Sequence, residues 1–214
     1  MRLVMPRLYV ILDAGMLGTS TGETARKLIG VGVRILQFRS KDRTAKETLA
    51  EARELAGIAR ESQTEFFVND RPDIAYLSGA NGVHVGQEDL SVAQARAVIG
   101  TDRWVGISTH NLEQFEEAAK SSADYIAVGP IFATSSKANP DPVVGIELLR
   151  RVRPLTKKPI VAIGGITLKN AAEVIEAGAD SVAVISDILG AADPAERAKK
   201  YIQRLETVKS ATFH

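Results

Sequence analysis

The sequence predicts an α/β protein folded as one closed (β/α)8 barrel, a TIM barrel. Three observations carry that expectation. Short runs rich in β-branched residues alternate with longer segments of helical period. The alternation recurs eight times from end to end. No Pro/Ser linker or low-complexity stretch divides the 214 residues, a length that suits one domain, residues 1–214, at the small end for this fold.

The strands are expected at about Leu8–Leu12, Arg34–Phe38, Glu65–Val68, Gly82–Val85, Trp104–Ile107, Tyr125–Val128, Pro159–Ala162 and Ser181–Ile185. Helices are expected near Thr21–Ile29, Thr44–Ser62, Asp73–Leu77, Val92–Ile99, Leu112–Lys120, Gly145–Val152, Leu168–Ala177 and Pro194–Val208. Glycines at positions 30, 32, 79, 100 and 178 punctuate the helix ends, where a left-handed residue stops a helix. A doubly wound open sheet is the competing reading of the same alternation. Eight strand–helix pairs in a chain this short favour closure.

Composition limits the function. Hydrophobic residues make up 45% and charged residues 25%, as in an ordinary soluble globular chain, and the formal net charge is +1. No general attraction to nucleic acid or an anionic membrane follows, so any phosphate must be held by local clusters. The absence of cysteine removes thiolate catalysis, disulfides and zinc–thiolate sites. The early apolar run Leu8–Leu12 is too short for a signal-peptide core or a membrane span, so a cytoplasmic enzyme or binding protein is expected.

A barrel of this kind places its chemistry at the carboxyl ends of the strands, and unusual polar residues gather there. After strand two comes Gln37-Phe38-Arg39-Ser40-Lys41, in which alternation sends Gln37, Arg39 and Lys41 one way and Phe38 and Ser40 the other. Arg39 could fork onto phosphate oxygens, Lys41 could act as a point charge, and Gln37 could read a ring heteroatom. The alternative is a salt-bridge network at the barrel mouth with Asp13, Asp42 or Arg43.

Strands three and four each run into a carboxylate, Asp70 after Asn69 and Asp89 after Gln87-Glu88. On neighbouring parallel strands these two hard oxygen ligands suit Mg2+, which takes few protein carboxylates and keeps positions for substrate oxygens. Either residue could instead cap the helix that follows it. Capping does not require both to stand at the same edge.

Strand five ends in Ser108-Thr109-His110. Ser108 could bond a substrate amine or phosphate; His110 suits either acid–base work or an ordinary place at a helix start. His84, between Val83 and Val85, reads as structural. The longest loop, residues 129–142, contains Thr134, Ser135, Ser136 and Lys137, a set suited to a phosphate-binding lid. Gly164-Gly165 after strand seven and Ile185-Ser186 after strand eight fit the phosphate position that recurs in this fold.

The charges suggest two phosphorylated ligands. A diphosphate and a monophosphate together bring about five negative charges. Mg2+, Arg39, Lys41 and Lys137 answer them, less the two carboxylates, and helix termini and backbone donors supply the remainder.

In order along the chain, these pieces resemble the thiamine phosphate synthase family. The resemblance rests on Leu8-Tyr9-Val10-Ile11, Gln37-x-Arg39-x-Lys41, Phe67-Val68-Asn69-Asp70 and the segment from Gly82 to Leu90. It continues through Gly106-x-Ser108-x-His110, the run from Tyr125 to Phe132, Ser136-Lys137, the run from Ala162 to Ile166 and Val184-Ile185-Ser186. Such enzymes are barrels that join an aminopyrimidine-methyl diphosphate to a thiazole phosphate with release of pyrophosphate.

The resemblance implies a pyrimidine diphosphate held by Gln37, Phe38, Arg39, Ser40, Lys41, Asn69, Ser108 and Lys137, with Mg2+ on Asp70 and Asp89. It implies a thiazole phosphate held by Thr134, Ser135, Ser136, Gly165, Ile185 and Ser186, and catalytic roles for Arg39, Lys41, Ser108 and Lys137. The lid reads Thr134-Ser135-Ser136-Lys137 where the family often has Thr-x-Thr-Lys; the hydroxyl is kept and a methyl is lost. The implied partners are small-molecule substrates, with no nucleic acid or membrane, and a second copy of the chain is a candidate partner. A related thiazole tautomerase and a non-catalytic regulator that binds thiamine phosphate are the other functions this pattern could serve.

Overall fold

Eight parallel strands close on themselves in chain order in a computed structural model that describes residues 3–17, 21–134 and 141–208. They are β1 (Leu8–Asp13), β2 (Ile35–Arg39), β3 (Glu65–Asn69), β4 (Gly82–Val85), β5 (Trp104–Thr109), β6 (Tyr125–Val128), β7 (Ile160–Ile163) and β8 (Ser181–Val184). β8 returns to pair with β1 through Leu8 opposite Val182, so the sheet has no free edge. The barrel predicted from the alternation is therefore present, and the open-sheet alternative is not.

Helices cover the outside: α1 (Ala14–Leu17), α2 (Thr21–Gly30), α3 (Ala45–Glu61), α4 (Pro72–Ser78), α5 (Val92–Ile99), α6 (Leu112–Lys120), α7 (Gly145–Val152), α8 (Ala171–Glu176), α9 (Ser186–Leu189) and α10 (Pro194–Glu206). Two of these, α1 and α9, were not expected; four residues are too few to show a helical period. The helix expected over Leu168–Ala177 is shorter, because Asn170 sits at its cap position and its side-chain oxygen accepts from the Thr167 N–H instead, at 2.7 Å. Thr44 and Glu47 form a reciprocal capping box at the start of α3, as do Ser91 and Gln94 at α5. No helix among the described residues is long and apolar enough to cross a membrane.

Period-2 alternation divides the strand side chains between two cores. Val10, Leu12, Leu36, Phe38 and Phe66 point outward and pack under the helices. Tyr9, Ile35, Phe67, Tyr125 and Val161 fill the barrel itself. The rings of Tyr9, Phe67 and Tyr125 meet at centroid distances of 5.7–6.1 Å. They fit because β4 and β5 carry glycine at the inward positions beside them: a Cβ on Gly106 would overlap the Tyr125 ring.

The amino-terminal face is closed by a repeated device. Asn81, Asp124 and Asp180 each precede an even-numbered strand and accept from a backbone N–H of the neighbouring odd strand. Phe66 N–H donates to Asn81 Oδ1 at 3.0 Å, Val105 N–H to Asp124 Oδ2 at 2.7 Å and Ile160 N–H to Asp180 Oδ2 at 2.8 Å. The two carboxylates also receive an arginine, Arg96 on Asp124 at 2.5 Å and Arg153 on Asp180 at 2.6 Å. Strand N–H groups that would otherwise end unpaired are satisfied there.

Candidate active site

A cavity of about 660 Å3 opens at the carboxyl-terminal face, and residues from all eight strands or the loops after them line it. Its floor is the inner aromatic core, and its rim is polar. Of the residues singled out in the sequence, Gln37, Arg39, Lys41, Asn69, Asp70, Asp89, Ser108, Thr134, Gly165, Ile185 and Ser186 all line this cavity.

Phe38 and Ser40 do not. Phe38 faces outward and is 1% exposed within the outer core, and the Ser40 hydroxyl is buried without a hydrogen-bond partner among the described residues. This follows from alternation: a strand that aims Gln37 and Arg39 into the barrel aims Phe38 at the helices. Ser135, Ser136 and Lys137 lie outside the described residues.

The basic residues after β2 are already engaged. Arg39 pairs with Asp13 at the end of β1, and Asp13 also accepts from the Gly15 N–H at 3.0 Å. Lys41 reaches Asp70 Oδ2 at 2.7 Å, and Arg43 pairs with Glu51 on α3. The salt-bridge network considered from the sequence is present through Asp13; the Lys41–Asp70 pair was not part of that expectation. Together these pairs hold Arg39 and Lys41 at the rim of the cavity.

The capping alternative for the two carboxylates is absent. Arg71 occupies the cap position of α4 with no side-chain cap bond, and Ser91 caps α5. Asp70 instead adopts φ 62°, a left-handed conformation that aspartate tolerates better than most residues. Its N–H donates to the His84 carbonyl at 2.7 Å, which ties the turn to β4. Asp89 folds back so that Oδ2 accepts from the Gly86 N–H at 2.7 Å.

The two carboxyl groups then meet, within hydrogen-bonding reach of one another. Burial raises the pKa of Asp89, and the neighbouring Asp70 raises it further against the Gly86 N–H and Lys41. Among the described residues no group of three or more His, Asp or Glu forms a metal cage. Two carboxylates held face to face do fit a hard dication that keeps most of its positions for substrate oxygens. Such an ion would relieve the like-charge contact that otherwise favours a proton on Asp89.

Opposite this edge, the loop after β6 is stitched to the end of β7. Ile131 N–H donates to Ile163 O at 2.9 Å and Phe132 N–H to Gly164 O at 3.0 Å. Gly164 adopts φ 97°, and a Cβ there would lie 2.5 Å from Pro130 Cα, so the approach of these loops requires glycine. Thr134, Gly165, Ile185 and Ser186 border the cavity on this side.

Several lining residues were not foreseen. His84, read from the sequence as structural, is buried in the cavity wall between Tyr125 and Ser108. Tyr9 and Tyr125 form the floor with it. A signal was available: in β4 the residues Gly82, His84 and Gly86 share the parity that faces the barrel. His110 also lines the cavity, with Nδ1–H donating to the Gly129 carbonyl at 2.6 Å and Nε2 lying 3.6 Å from Asp141.

The comparison with known proteins agrees with this arrangement. The family model described as thiamine monophosphate synthase matches residues 8–188. This chain belongs to that family. It is 51% identical to the thiamine-phosphate synthase of Koribacter versatilis over 210 residues, 96% of this chain and 98% of that protein. It is 42% identical to the thiamine-phosphate synthase of Chloroflexus aurantiacus, over 94% of this chain and 93% of that one. Among solved structures, the thiamine phosphate pyrophosphorylase of Pyrococcus furiosus superposes with a TM-score of 0.86 at 35% identity, covering 94% of this chain and 96% of that chain.

Proposed function

We propose that this chain is a thiamine phosphate synthase: it joins an aminopyrimidine-methyl diphosphate to a thiazole phosphate, or its carboxylated form, and releases pyrophosphate. Beyond family membership, the observation that carries this reading is the facing pair Asp70 and Asp89, with Lys41 at 2.7 Å from Asp70 on the rim of a barrel-mouth cavity. An isomerase acting on one phosphorylated ring has no need of such a pair.

Arg39 and Lys41 bind the diphosphate oxygens, the first through its planar fork and the second as a mobile point charge. Asp70 and Asp89 would hold Mg2+, which when bound supplies positive charge against the diphosphate. The methylene C–O bond breaks and its electron pair leaves with pyrophosphate. The electron-rich aminopyrimidine stabilises the methylene cation that remains. The thiazole nitrogen then gives its lone pair to that carbon and forms the new C–N bond.

No covalent bond to the protein is needed. The rim cations sit in place before charge develops on the leaving group, which is where fixed electrostatics accelerate a reaction most. The wall built from Thr134, Gly165 and Ser186 seats the thiazole phosphate and holds its ring near the cation. Ser135, Ser136 and Lys137 complete the phosphate contacts in this reading, with Lys137 on the diphosphate side. The apolar floor of Ile11, Ala127, Val161 and Ala183 keeps water from capturing the cation first.

Pyrophosphate and thiamine phosphate are measured with each component left out in turn. The proposal expects both products only when Mg2+ and both ring substrates are present. A product formed from the thiazole substrate alone would make the chain an isomerase, and ligand binding without turnover would make it a regulator.

A further inference from the structure

Beneath the cavity, side chains from five strands are hydrogen-bonded in series. Gln37 Nε2 on β2 donates to the Tyr9 hydroxyl on β1 at 3.0 Å. The Tyr9 and Tyr125 hydroxyls, on β1 and β6, are 3.1 Å apart. Tyr125 Oη lies 2.8 Å from His84 Nδ1 on β4, and His84 Nε2 lies 2.8 Å from Ser108 Oγ on β5. The His84 and Tyr125 rings are stacked, with centroids 5.5 Å apart. Gln37 and Ser108 line the cavity at the two ends of this chain.

Counting protons gives the chain a direction. Burial raises the pKa of both phenols, so each keeps the one proton it can donate. Tyr9 already accepts from Gln37, which leaves its O–H for Tyr125. Tyr125 then gives its own proton to His84 Nδ1. His84 must therefore carry its hydrogen on Nε2 and donate it to Ser108 Oγ. The Ser108 proton is left for an acceptor in the cavity, and Gln37, with one of its two amide N–H groups given to Tyr9, keeps its carbonyl oxygen as an acceptor.

We propose that His84 is a positioning residue, held as its Nε2–H tautomer by Tyr9 and Tyr125, that makes Ser108 a hydrogen-bond donor, while the Gln37–Tyr9 bond at the other end of the chain leaves the Gln37 carbonyl oxygen as an acceptor. The two ends then read one ligand together: a heteroaromatic ring presenting both an N–H and a lone pair. An aminopyrimidine presents that combination; the corresponding oxo ring, with a carbonyl and a ring N–H, presents its reverse. This assignment of substrate specificity rests on the function proposed above. The tautomer itself does not.

The full-length protein labelled with 15N-histidine tests both parts. It has three histidines, and loss of a signal in His84→Gln identifies the one of interest. Without any substrate, His84 should show a protonated Nε2 and an Nδ1 that accepts a hydrogen bond. Tyr125→Phe keeps the ring that packs the barrel and removes only the hydroxyl, so its Nδ1 signal should shift.

In turnover, Tyr125→Phe should raise KM for the pyrimidine diphosphate about tenfold, the equivalent of one hydrogen bond, and leave KM for the thiazole phosphate unchanged. Tyr9→Phe should act in the same direction and less strongly. A proton on Nδ1 in the wild-type protein, or an Nδ1 signal unmoved by Tyr125→Phe, would overturn the relay. Equal changes in both KM values, or none in either, would overturn the link to specificity. Absence of any product from the wild-type protein would count against the function and leave the tautomer result standing.

Discussion

The two ends of the barrel use acidic residues in opposite ways. At the amino-terminal face, Asp124 and Asp180 each receive a strand N–H and an arginine, so the charge is matched where the chain itself supplies the partners. At the carboxyl-terminal face, Asp70 and Asp89 confront each other, and Lys41 is the cation in contact with Asp70. A carboxylate matched by its own fold stabilises that fold. A carboxylate pair left with excess negative charge stores a need for an external cation, and that need is what a site can use.

Substitutions at the two faces should therefore separate stability from activity. The largest effect is expected from Asp70→Asn or Asp89→Asn, each lowering kcat by about a hundredfold or more, the order seen when fixed transition-state stabilisation is lost. Thermal unfolding of the same variants should show stability unchanged or raised, because a like-charge contact has been removed. Variants that lost stability and activity together would erase the distinction between the faces.

Asp124→Ala should do the reverse. It strands the Val105 N–H and takes from Arg96 its carboxylate partner, leaving the guanidinium its bonds to the Arg103 and Ser122 carbonyls, at a cost of about 1–3 kcal/mol. Chemical denaturation measures this, and kcat per folded molecule should stay near wild type. A kcat that falls with the stability would show that the lower face also shapes the site.

The smallest expected effect is at Glu65, at the foot of β3. Burial raises the pKa of its carboxyl, opposed by a hydrogen bond with Trp104, and one of its oxygens is buried without a partner among the described residues. The folded state thus holds the proton more tightly than the unfolded state, and stability falls as pH rises from the ordinary carboxyl range through the raised value. Glu65→Gln should remove that fall. The gain at neutral pH should stay below about 1 kcal/mol, because the group is partly exposed and solvent screens it. Unfolding curves across that pH range check the slope.

Much of this architecture is legible in the sequence. The strand runs are β-branched and short, so their positions follow from local preference within about a residue. The barrel edge at Asp70 and Asp89 is legible too, since each lies just beyond a strand and the two strands are consecutive. What was not legible depends on contacts between distant strands. The series Gln37–Tyr9–Tyr125–His84–Ser108 joins β2, β1, β6, β4 and β5. Nothing near His84 in the chain marks its partners, and flanking valines make it look like core. The matching role of Asp124 and Asp180 was hidden for the same reason: each lies on a loop whose partners come from another part of the sequence.

The central claim is that the upper carboxylate pair binds a dication for a diphosphate. Calorimetric titration with inorganic pyrophosphate, with and without Mg2+, tests it on the wild-type protein, Asp70→Asn, Asp89→Asn and Asp124→Asn. Tight binding that requires Mg2+ in the wild type, persists in Asp124→Asn and is lost in the other two is the predicted result. Pyrophosphate binding of equal strength without Mg2+, or equal in all four proteins, would contradict it.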